Sequence, residues 1–107
     1  MQALPRYPTE SIHMATATLN GTVIASSDET VIVEGNHYFP PASVKFDHFT
    51  EATKTTVCHW KGTASYYDVT VPGAVARATA WAYRDPSDAA ANIKGYVAFW
   101  GQVVVAD

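Results

Sequence analysis

Two apolar runs, Ala15 to Leu19 and Thr22 to Ala25, are separated by nothing but Asn20-Gly21. Both turn residues tolerate the positive φ that a type I′ turn demands, so the stretch predicts a tight β-hairpin. Strand signals continue from there. Ser26-Ser27-Asp28 marks a turn, and Thr30 to Glu34 reads as a third strand that Gly35-Asn36 breaks. His37-Tyr38-Phe39 then runs into Pro40-Pro41, which removes two backbone donors and ends any central strand. Residues 42–52 fit a helical turn or a short strand equally well, with Val44, Phe46 and Phe49 as apolar anchors. Thr53 to Trp60 reads as another strand, ended by Lys61-Gly62.

Alternation is cleanest in the second half. Ser65, Tyr67, Val69 and Val71 fall on one face of a strand, with Tyr66, Asp68 and Thr70 on the other. After a Pro72-Gly73 turn, Ala78, Ala80 and Ala82 form an all-alanine face that lets a neighbouring layer approach closely. Arg77, Thr79, Trp81 and Tyr83 form an opposite face whose aromatics need cover. Ser87 looks like an N-cap with Asp88 in the first turn, so residues 87–94 predict one short helix, and Gly95 sits where a left-handed C-terminal cap belongs. Tyr96 to Val105 closes the chain as one long strand. Residues 1–13 carry Pro5 and Pro8 and no periodic pattern. They read as an irregular arm before a single β-rich domain over residues 14–107.

Composition narrows the function classes. With 107 residues there is room for one domain, and 48% apolar against 16% charged residues describes a folded chain rather than a disordered one. Net charge is −3, and the seven Lys and Arg residues are scattered singly. No basic patch is legible, which argues against nucleic acid or an anionic membrane surface as partner. The one cysteine, Cys58, rules out an intramolecular disulfide and a paired-cysteine zinc site. No signal peptide or membrane span is legible, so the cytosol is the expected address.

Three stretches together are familiar: Glu34-Gly35-Asn36-His37-Tyr38-Phe39-Pro40; Cys58-His59-Trp60-Lys61-Gly62 with Ala64, Tyr66 and Tyr67; and Trp81-Ala82-Tyr83, Pro86, then Ile93 to Trp100. Their order and spacing resemble the family catalogued as domain of unknown function 427, over nearly all of Met14 to Val105. The resemblance implies a mostly β, small single-domain fold of the β-tent type, in which two sheets lean together. It also brings a nucleotidyltransferase label, although the sequence shows no Gly-rich phosphate loop and no paired aspartates set for two metals. Where the family pattern has proline after the cysteine, this chain has His59, so a role for His59 is not inherited.

Two groups of residues are placed to carry chemistry. Glu34, Asn36, His37 and Tyr38 sit at a strand-to-loop break, where His37 is a candidate general base with Glu34 or Asn36 orienting its ring. The plainer reading makes Asn36 a turn residue, His37 a surface ring and Tyr38 a packing residue. Cys58, Trp60 and Lys61 form the second group. Cys58 is a nucleophile if a cation such as His37 or Lys61 favours its thiolate, and a small buried hydrophobe otherwise. Strand alternation turns His59 away from Cys58.

Together these predict a small-molecule site, catalytic or merely binding, with His37, Glu34, Cys58 and Lys61 as catalytic candidates. Asn36, Tyr38, Trp60, Tyr66 and Trp81 are its ligand contacts, although core packing accounts for each aromatic singly. His13, His37, His48 and His59 match no metal motif, and no metal or cofactor is expected. The alternative is a noncatalytic interaction module that pairs with a second copy through an aromatic face or sheet edge.

Overall fold

The computed structural model describes residues 14–107; the expected arm over residues 1–13, His13 included, lies outside the described residues. Asn20-Gly21 makes the expected turn, with φ of 49° and 82°, between β1 (Ala15–Leu19) and β2 (Thr22–Ser27). A second tight turn is made by Glu34 and Gly35, at φ of 54° and 82°, between β3 (Val31–Val33) and β4 (Asn36–Tyr38). The break thus falls one residue earlier than the sequence suggests, and Asn36 already belongs to β4.

Residues 42–52 contain both of the structures the sequence left open. Short 3-10 turns at Pro41–Ser43 and Phe46–His48 lead into β5 (Phe49–Cys58). Pro41 opens the first turn, a position where its missing N–H costs nothing. β6 (Gly62–Val71) and β7 (Ala74–Ala82) follow as long antiparallel partners.

The strands assemble into three sheets rather than the two expected. Their orders are β2-β1-β9, β3-β4 and β5-β6-β7-β8, where β8 is Val97–Phe99 and β9 is Val104–Ala106. The long final strand is therefore cut in two. Gly101, at φ 70°, takes the chain out of the four-stranded sheet, and β9 then pairs with β1. Phe39 exchanges two backbone hydrogen bonds with Val97, at 2.8 and 3.0 Å, and so docks the β3-β4 hairpin against β8.

The expected short helix is absent. Asp88–Ile93 forms two 3-10 turns divided at Ala90, whose φ of −119° is not helical. Six residues are too few to nucleate a helix without strong capping, and Ser87 makes no capping bond. Gly95 does adopt the expected left-handed conformation, with φ 76°. No helix among the described residues is long and apolar enough to cross a membrane.

Two apolar cores flank the four-stranded sheet. The larger joins Ala15, Ala17 and Leu19 of β1 to Val69, Ala76, Ala80, Ala82 and Phe99, so small residues do let the layers close up. The smaller lies on the aromatic face, where Tyr38, Ala64, Tyr83, Ala90, Ile93 and Ala98 are buried. The β3-β4 hairpin and the Asp88–Ile93 turns provide its cover.

One expected alanine departs from its face. The β6-β7 ladder slips between Tyr67 and Val69, and Ala78 sits at φ 49°, a conformation that costs an L-residue about 1–2 kcal/mol. Asp68 Oδ1 accepts the Ala78 N–H at 2.7 Å, which gives this bulge a partner and lets Ala76 take up the small-residue face. Asp68→Ala should lower unfolding free energy in urea by about 1–3 kcal/mol, because a part-buried N–H is left without an acceptor. Asp68→Asn, whose carbonyl can still accept, should lose less.

Candidate functional site

The β5-β6 hairpin closes where Cys58 pairs with Gly62, with His59, Trp60 and Lys61 as its turn. Gly62 has φ of 111°, and a Cβ there would lie 3.5 Å from Pro86 Cα and Ser87 N. The backbone of residues 85–87 therefore packs directly on the turn. Ser87 N–H donates to the Lys61 carbonyl at 3.0 Å, and Ser87 Oγ donates to the Trp60 carbonyl. Ser87 is thus a clasp on this hairpin, not the helix cap its sequence context suggests.

With the turn held from one side, the Lys61 side chain runs inward. It is 4% exposed, and its ammonium lies 5.0 Å from the Trp60 ring centroid and 5.6 Å from that of Tyr83. A buried ammonium requires a counter-charge. Glu34, projected from the β3-β4 turn, supplies it: Lys61 Nζ donates to Glu34 Oε1, and Trp60 Nε1 donates to Oε2 at 3.4 Å. Two turns distant in sequence are tied by one carboxylate.

The charges respond as this geometry requires. The hydrogen bond from Lys61, and after it that from Trp60, holds the Glu34 carboxyl below its ordinary value. Burial pulls the Lys61 ammonium down, but the Glu34 hydrogen bond and nearby ionisable groups outweigh it and carry the pKa upward. Cys58 is half-buried. The Trp60 N–H, then the Lys61 N–H and the Lys61 charge, lower its thiol against the opposing effect of burial. Burial raises the Tyr38 and Tyr83 phenols.

Four expected site residues, Glu34, Cys58, Trp60 and Lys61, come together. Tyr38 lies beneath them, 1% exposed, its hydroxyl accepting from Trp81 Nε1 at 3.1 Å and its ring edge-on to Trp81. Tyr66 also packs against Trp81, with centroids 6.1 Å apart. Asn36 pairs with Val33 across its hairpin and is half-buried.

His37 is not brought to this group. It faces away from Tyr38 on β4, with Nδ1 2.7 Å from Thr30 Oγ1 and Nε2 3.5 Å from Asp107 Oδ2. His59 is exposed in the turn. Tyr83 and Ser87 join the site through tertiary contact; the only sequence signal for either was an aromatic face needing cover and a polar residue at an apparent helix start. Among the described residues there is no cavity or pocket, and no three His, Cys, Asp or Glu side chains cluster to hold a metal ion.

Compared with known proteins, residues 9–106 match the family model described as domain of unknown function (DUF427). No curated protein matches the chain.

Because Glu34 titrates lower in the folded chain than in the unfolded one, its contribution to stability is present above the ordinary carboxyl value of 4.5 and disappears as pH falls through the folded value. Thermal melts of wild type and Glu34→Gln should therefore differ most near neutral pH, where the variant strands a buried ammonium. The two melting temperatures should converge in acid.

Proposed function

The chain belongs to the DUF427 family, and we propose that it carries a small-molecule site in which Cys58 is the reactive group. The observation that carries this reading is the buried Lys61 ammonium, held by Glu34 and set beside the Cys58 thiol. A thiol becomes nucleophilic as its thiolate, and a fixed cation beside it favours that form. The sulfur would give its electron pair to an electrophilic carbon of the ligand, and the leaving group would depart with the pair of the broken bond. Trp60, 41% exposed, offers an aromatic face for a planar part of the ligand. The reducing cytosol expected from the sequence would keep this thiol free.

His37 has no part in this reading, since its partners lie on the other side of β4. Nucleotidyl transfer through metal ions calls for clustered carboxylates, which the arrangement around Lys61 does not offer. For self-association the free edge of β5 is one available surface. Its ladder with β6 is interrupted between Glu51 and Thr55, and a bulge and a lysine are features that oppose edge-to-edge pairing. A dimeric mass by light scattering would favour that second reading.

Alkylation of Cys58 by iodoacetamide, followed by mass spectrometry across pH, tests the first. Its midpoint should lie below the ordinary thiol value of 9.0 in wild type and move upward in Lys61→Met. A wild-type midpoint at the ordinary value, or one unmoved by Lys61→Met, removes the reading.

A further inference from the structure

The aromatic face of the four-stranded sheet is covered at one end by the β3-β4 hairpin and left open at the other. At the open end the β5-β6 ladder runs from the pair Glu51–Tyr67 to the pair Thr55–Ser65. Residues 52–54 of β5 therefore stand opposite Tyr66 alone. This bulge directs Lys54 back across the sheet. Its ammonium lies 4.7 Å from the Tyr66 ring centroid and 5.6 Å from that of Trp100, within the range of cation–π attraction to both rings.

The two rings are held independently of Lys54. Trp100 is 53% exposed, yet its indole N–H donates to the Ala78 carbonyl at 2.8 Å and its backbone N–H to the Thr79 carbonyl at 2.9 Å. Its carbonyl accepts from the hydroxyl of Thr79, a residue only 2% exposed. Tyr66 packs at a tilt against Trp81, and its hydroxyl is 3.2 Å from Thr56 Oγ1. A half-exposed tryptophan fixed by three hydrogen bonds is a preorganised surface, and preorganisation lowers what binding must spend on ordering. The occupant, in contrast, is an exposed lysine on a flexible stem, and no carboxylate among the described residues forms an ion pair with it.

We propose that Tyr66 and Trp100 form a two-ring clamp for the quaternary ammonium group of a small soluble ligand, with Lys54 as its resident occupant. The clamp already holds an alkylammonium group of this chain, which identifies the chemistry it accepts. A primary ammonium is strongly hydrated, whereas a quaternary one has no N–H to keep solvated and should displace it. Recognition of quaternary ammonium by aromatic rings rests on the same attraction. The clamp is separate from Cys58, Lys61 and Glu34 and does not depend on the function proposed for them.

Tetramethylammonium chloride titrated into the protein, with the indole N–H signals followed by nitrogen-15 NMR, tests the clamp. The Trp100 signal should shift saturably while that of Trp60 stays in place. Lys54→Ala, at an exposed position, should tighten binding by roughly two- to fivefold, as expected when a cation–π competitor is removed. Tyr66→Leu should abolish the saturable shift. The proposal is overturned if wild type and Lys54→Ala both fail to show a saturable shift, if Lys54→Ala binds no tighter, or if lithium chloride produces the same shift.

Discussion

The four-stranded sheet has two apolar faces, and every other part of the molecule is arranged by the need to keep both from water. One face mixes the alanines of β7 with Val69, Val71 and Phe99 and closes against β1, β2 and β9. The other carries Tyr66, Trp81 and Tyr83, and the β3-β4 hairpin and the Asp88–Ile93 turns lie over it. Neither covering piece is a stable unit alone, since a two-stranded hairpin is marginal in water. Each is held by a few directed bonds: the Phe39–Val97 pair for the hairpin and the Ser87 clasp for the turns.

The site is a by-product of that cover. Bringing the β3-β4 turn over the sheet sets Glu34 above the β5-β6 turn, and clamping the β5-β6 turn from outside drives Lys61 inward. Burial of the ammonium and the arrival of its carboxylate thus come from two separate contacts that meet at one turn. Glu34 stays about half exposed while Lys61 is buried, so the pair keeps one end solvated and avoids the full desolvation cost of a buried ion pair. Cys58 gains its cation because its strand ends at that turn.

The same face shows what happens where cover stops. Beyond Trp81 the aromatic layer runs out into solvent, and the chain meets it with a lysine from a bulged edge strand. The ammonium satisfies the rings and the bulge spoils the edge for strand pairing. One irregularity in β5 serves both ends.

Local chemistry was legible residue by residue. Asn20-Gly21 announced its hairpin because few pairs tolerate two positive φ values, and Gly95 announced its left-handed turn for the same reason. The alternation around Trp81 and Tyr83 announced an aromatic face, and the grouping of Glu34 with Cys58, Trp60 and Lys61 survived folding. What failed were inferences that needed a distant partner. Ser87 had the context of a helix cap, but its hydroxyl found the Trp60 carbonyl across the fold. Ala78 broke its face because Asp68 offered an acceptor one strand away. The last strand was cut at Gly101 because two different sheets claimed its halves, and His37 lost its place beside Cys58 once β4 turned it to the opposite side. Backbone preference and side-chain alternation act within a few residues, so pattern was enough for the β class, the Asn20-Gly21 and Pro72-Gly73 turns and the aromatic face, whereas Ser26 and Ser27, read as a turn, extend β2. Which carboxylate meets which ammonium is decided by segments tens of residues apart, and is fixed when the fold brings Glu34 and Lys61 together.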